Sequence, residues 1–123
     1  MNKRIGTLKK EILALFDIDT EKDLPILIGE LNIEHIKNEH PEDYKKYGNN
    51  IPEILKNPTY VAKHPEKTSI EYIKEYVRDN ELVLVAVKIT SNQTSFVKTM
   101  FVMSDEKKKR YIKGGYLKKV IEK

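Results

Sequence analysis

The sequence predicts one α+β domain in which N-terminal helices pack on a three- to four-stranded antiparallel sheet and a short basic helix follows. Three observations predict it: apolar residues recur at helical spacing near the start, two β-branched runs at 82–89 and 96–103 flank a polar turn, and a Lys/Arg-rich segment begins at a serine and ends at Gly114-Gly115. At 123 residues the chain has the size of a single domain spanning 1–123, enough to bury roughly two-thirds of its unfolded surface in one core.

Each element has its own signal. Ile5, Leu8, Ile12 and Leu15 lie three or four apart with Lys9, Lys10 and Glu11 between them, which predicts an amphipathic helix within a helical arm over 1–23. Residues 24–31 are apolar but hold Pro25 and Gly29, so they read as a brief edge strand or an extended lead-in. Residues 33–48 read as helix interrupted at Pro41, because proline biases the residue before it away from helical backbone; a bend at His40 is expected. Pro52 marks the first turn of another short helix, stopped by Asn57-Pro58. Residues 60–62 fit a short strand. Residues 70–77 fit helix by spacing and strand by their β-branched and aromatic content, and the strands that follow favour strand. Residues 82–89 and 96–103 form a hairpin around Ser91-Asn92-Gln93. Ser104 is a suitable N-cap, Asp105 and Glu106 suit the positive end of the helix dipole, and Gly114-Gly115 ends the last helix.

Composition excludes several chemistries. Without cysteine there is no disulfide framework, thiolate metal site or thiol nucleophile. Residues 1–16 are broken by Lys9, Lys10 and Glu11 and lack the continuous apolar stretch of a signal peptide, and no segment is long and apolar enough to span a bilayer. The expected site of action is therefore cytoplasmic, away from membranes, with delivery as part of a longer exported chain as the other route. Net charge is +4, and residues 105–123 hold eight basic against three acidic residues. That concentration suits a polyanion or an acidic partner, and equally a solvated helix face.

The chain has three histidines, His35, His40 and His64. His35 and His40 are five apart, about 140° around an ideal helix, whereas a helical zinc pair needs a spacing of four. There is no HExxH, no phosphate-binding glycine loop and no serine-hydrolase elbow. No metal and no cofactor are expected. Two histidines at a bent helix junction suit RNA transesterification, in which one group takes the 2′-OH proton and another protonates the leaving 5′-oxygen. A helix cap and a partly buried ring are the plainer uses of the same residues.

The segments His35-Ile36-Lys37-Asn38-Glu39-His40-Pro41, Ile51-Pro52-Glu53-Ile54-Leu55-Lys56-Asn57-Pro58-Thr59-Tyr60, residues 82–87 and Val97-Lys98-Thr99-Met100-Phe101 resemble the phage-associated branch of the barnase, EndoU, colicin and RelE-like nuclease group, the BECR fold. The resemblance covers roughly residues 30–113. It implies a metal-independent endoribonuclease, a toxin or mobile-element effector acting on RNA, tRNA included. His35 and His40 match the family's paired histidines, in an acid and base order that stays open. Lys98 and Thr99 match strand positions that complete such sites. Neighbours on a strand face opposite ways, so one of the two is expected in the cleft, with Thr99 preferred over its use as a core strand residue. On the same reading Lys88 and Arg110 contact phosphate, or are surface charges, and Tyr60 stacks on a base, or is core. His64 falls outside the matched pattern. An acidic immunity or antitoxin protein is the implied partner. The competing expectation is a non-catalytic nucleic-acid- or protein-binding module that uses the basic C-terminal helix.

Overall fold

The computed structural model describes residues 2–90 and 92–120; Ser91 of the expected turn and the last three residues of the basic segment lie outside them. The order is β1 (Lys3–Leu8), α1 (Lys10–Ala14), β2 (Leu24–Ile28), α2 (Glu30–Glu39), α3 (Pro41–Tyr47), α4 (Ile51–Lys56), β3 (Tyr60–Lys63), β4 (Ser69–Tyr76), β5 (Glu81–Ile89), β6 (Ser95–Val102), α5 (Asp105–Gly114) and β7 (Lys118–Lys119). The seven strands of the described residues join one sheet in the order β1-β2-β6-β5-β4-β3-β7. No helix among the described residues is long and apolar enough to cross a membrane.

The α+β class stands, but the sheet is larger than three or four strands and is mixed, since β2 runs parallel to β6 while the other pairs are antiparallel. The extra strands are short or come from segments read as something else. The expected N-terminal helix is instead strand β1 followed by a five-residue helix. Its register slips between Arg4 and Gly6, leaving Ile5 as a bulge residue. A bulge adds one residue to one side of a ladder, so Ile5 and Leu8, three apart, both pack on the same core. Residues 24–28 do form a strand, but an internal one, with β1 outside it and β6 inside. There the Pro25 carbonyl accepts the Ser95 hydroxyl at 2.8 Å.

The helical middle follows the sequence signals. Asn32 Oδ1 accepts the Gly29 N–H at 2.8 Å and so starts α2. Pro41 opens α3, and His40 between the two helices has φ −138°, ψ 60°, which no continuous helix contains. Asp43 on α3 accepts the Val102 N–H at 3.0 Å, capping β6 where β2 no longer accompanies it. The β4-β5-β6 meander is the long central part of the sheet, and Thr90 and Thr94 close the β5-β6 hairpin. The Ser104 hydroxyl accepts the Lys107 N–H at 3.2 Å, and Gly115, with φ +68°, ends α5 in the left-handed region where glycine carries no Cβ penalty.

The strands divide the interior into two layers. Leu8, Ile26, Val61, Ile70, Tyr72, Val83, Val85, Val87, Val97 and Met100 meet Ile36, Tyr47, Ile51 and Ile54 from the helices on one face. Ala62, Ile73, Leu84, Ala86, Met103 and Tyr111 form a smaller cluster under α5 on the other.

Candidate active site

Register brings polar and charged side chains together on the α5 side. Thr99 pairs with Ala86, Ala86 with Glu71 and Glu71 with Ala62, so these four form one row across β6, β5, β4 and β3. The next row joins Phe96, Lys88 and Ser69, and His64 extends it by donating its N–H to the Ser69 carbonyl at 3.0 Å. Because side chains alternate along a strand, residues two apart face the same way: Lys88 with Ala86, Ser69 with Glu71, His64 with Ala62. Thr99 and Glu71 flank Ala86, whose methyl is the smallest filler available; two strand spacings separate them by roughly 10 Å.

At Lys98 the β5-β6 register slips, with Ala86 opposite Thr99 and Val87 opposite Val97. This bulge interrupts the alternation that would have sent Lys98 and Thr99 to opposite faces. Burial, together with the nearby charges of Lys67 and Lys88, lowers the Lys98 ammonium pKa, which places it with those two lysines. Thr99 Oγ1 is buried and has no hydrogen-bond partner. An unsatisfied hydroxyl of this kind costs about 1–3 kcal/mol, which an atom of a bound ligand can recover.

The cleft of about 350 Å³ beside α5 is lined by His64, Lys107, Arg110, Tyr111 and Tyr116. Beneath it the Tyr111 hydroxyl donates to Glu71 Oε1 at 2.6 Å. Glu71 is 2% exposed and pulls upward on the pKa of Lys107 and of His64. Burial and then the Glu71 bond raise the Tyr111 pKa, keeping the phenol a donor. Lys107 Nζ lies 4.7 Å from the Phe101 ring centre and 5.3 Å from that of Tyr111. Its pKa is lowered by burial, against an upward pull from Glu71. His64 Nδ1 accepts the Glu66 N–H at 3.1 Å, and burial lowers its pKa from 6.5, with Glu71 opposing and Lys67 and Lys107 assisting. A neutral imidazole that accepts at Nδ1 carries its proton on Nε2 and can only donate from there.

The residues singled out from sequence fall in four places. Lys88, Lys98 and Thr99 are on the α5 side of the sheet, and Arg110 lines the cleft. His40 is half-buried at the free edge of β6, its ring 5.2 Å from that of Phe101, on which Lys107 also sits. His35 is exposed on α2, and no hydrogen bond or ring contact among the described residues joins it to His40. Tyr60 lies at the other flank of α5, in a hollow of about 250 Å³ with Lys108, Ile112 and Leu117, away from His64.

Sequence reading missed His64, Glu71 and Tyr111. Glu71 had a signal: an acidic residue between Ile70 and Tyr72 in a strand that is apolar on its other face. His64 had none, because its role depends on the β3-β4 pairing that returns it to the sheet. Compared with family models, residues 3–110 match the one described as phage-Barnase-EndoU-ColicinE5/D-RelE like nuclease3. No curated protein and no solved structure matches the chain.

Proposed function

Because the chain belongs to the phage-Barnase-EndoU-ColicinE5/D-RelE like nuclease family, we propose that it is an endoribonuclease that cuts RNA on the α5 side of the sheet by attack of the neighbouring 2′-OH. The observation that carries this reading is the convergence of Lys67, Lys88, Lys98, Lys107 and Arg110 around His64 and the buried Glu71. Such a surface matches a phosphodiester passing through a pentacoordinate, more negative transition state.

In this reading the lysines and Arg110 hold the phosphate, and the Nε2–H of His64 donates to a non-bridging oxygen as charge grows on it. His64 serves as a neutral donor, since a second proton on Nδ1 would face the Glu66 N–H. Thr99 Oγ1 offers a further contact. His40, at the sheet edge, transfers a proton, and His35 on α2 is its proposed partner. Glu71 and Tyr111 position Lys107 and the cleft wall. Tyr60, on the far flank, stacks on a base of the bound strand. The 2′-OH supplies a nucleophile already in place, so the reaction needs no metal-activated water. An acidic immunity or antitoxin protein would recognise the same cationic face.

Incubation with total cellular RNA, with and without a chelator, tests the proposal. We expect defined fragments under both conditions. Retained RNA binding with no fragments would leave the domain as a binding module.

A further inference from the structure

A second cavity, of about 440 Å³, opens on the opposite face of the sheet, between β1, α1 and α4. Ile5, Ile12, Pro52 and Leu55 make its walls apolar, whereas Lys9 and Lys56, both exposed, bring positive charge to it. No acidic residue is among those described that line it. Tyr72 also lines the cavity; it is 2% exposed and its hydroxyl has no partner. Burial raises the pKa of this phenol, so the group is a standing proton donor. A concave apolar chamber of this size with one inner polar group and cations at its edge has the make-up of a small-molecule site.

We propose that this cavity binds a medium-chain aliphatic carboxylate carrying a second oxygen near its tail. The chain covers Ile5, Ile12 and Leu55, the tail oxygen accepts the Tyr72 hydroxyl, and the carboxylate meets Lys9 and Lys56. Three features select that ligand: the apolar lining calls for hydrocarbon, the orphan hydroxyl for an acceptor deep inside, and the paired lysines for an anion. Glu71 and Tyr72 are neighbours on β4 that face opposite ways, so the cavity backs onto the cationic face but shares no lining residue with its cleft.

Calorimetric titration of the full chain at low ionic strength with ω-hydroxyoctanoate, octanoate and octanediol tests the site. ω-Hydroxyoctanoate should bind saturably to one site. Octanoate, lacking the inner oxygen, should bind about three- to tenfold more weakly, the usual worth of one hydrogen bond. Octanediol, lacking the charge, should also bind more weakly. Tyr72→Phe should erase the advantage of ω-hydroxyoctanoate over octanoate while leaving octanoate unchanged, and should itself raise Tm by removing an unpartnered buried hydroxyl. Absence of saturable binding by any probe, full retention of ω-hydroxyoctanoate affinity in Tyr72→Phe, or a fall in the variant's Tm would each overturn the proposal.

Discussion

On β4 and β5 the same strands serve two surfaces. Ile70, Tyr72, Val83, Val85 and Val87 turn toward the helices and are buried with Ile26, Ile36 and Ile54. Glu71, Ala86, Lys88 and, through the β3-β4 pairing, His64 turn the other way. One face is largely hydrocarbon, with the Tyr72 hydroxyl buried in it; the other places cations around the buried Glu71 and small side chains. Lysines near one another, as Lys67, Lys88 and Lys98 are, oppose folding by mutual repulsion. Their cost is offset by the apolar face, so the main core and the proposed cationic site lie on opposite sides of one sheet, with His35 on α2 the exception.

The largest effects should come from the apolar face. Ile26→Ala and Ile36→Ala, each at a fully buried position, should cost about 2–5 kcal/mol in denaturant unfolding. Under conditions where it stays folded, Ile26→Ala should keep a cleavage rate near that of the native chain. A folded Ile26→Ala variant with no activity would break the separation, because it would mean that packing on the apolar face sets the site's geometry.

His40→Ala tests the proposed proton transfer at the sheet edge. It should lower the cleavage rate on the order of a hundredfold or more, the usual worth of a positioned acid or base, with little change in stability. His35→Ala is expected to do the same. If only His35→Ala were harmless, the paired model would fail while the site at His40 stood.

Between the two faces lies the Tyr111–Glu71 bond. Tyr111→Phe keeps the ring but leaves a buried carboxylate short of a donor, which should cost about 1–3 kcal/mol and weaken RNA binding through a displaced Lys107. Equal stability of variant and native chain would show that Glu71 is satisfied without Tyr111.

A smaller, pH-linked effect concerns His64, whose folded pKa is lowered from 6.5. The unfolded state binds the proton more readily, so the stability associated with a neutral His64 is present above about pH 6.5 and is lost as the pH falls toward the folded value. His64→Gln should flatten that acid limb in urea unfolding measured across the range. An unchanged limb would assign it to other groups. Smallest of all, Ser104→Ala should cost about 1 kcal/mol by removing the acceptor for the Lys107 N–H.

Much of the middle of the fold was legible because its signals are local: Pro41 with the bend at His40, the β5-β6 hairpin, and Ser104 with Gly115 around α5. The first element was misread for a definable reason. A bulge at Ile5 gives a strand the i, i+3 spacing of a helix, and the bulge at Lys98 does the same for Val97 and Met100, both fully buried. Apolar spacing alone does not separate a bulged strand from a helix turn; the Gly6 and Thr7 content of β1 was the better clue. The parallel β2-β6 pair and the two-residue β7 depend on contacts far apart in sequence and carry no local mark. For the proposed site, Lys98 and Thr99 were named from the resemblance and Lys88 and Arg110 as candidate phosphate contacts, whereas Glu71 and His64 acquire their place from strand register.

The central claim is that the cationic face cuts RNA with the neighbouring 2′-OH as nucleophile. Matched oligonucleotides, one all-ribo and one with a single 2′-deoxy residue at the cleavage position, incubated in excess chelator and followed by mass analysis of the ends, test it most directly. A 2′,3′-cyclic phosphate is expected from the first and no cut in the second, with binding of both retained. Cleavage that ignores the missing hydroxyl, or that stops when metal is chelated, would contradict it.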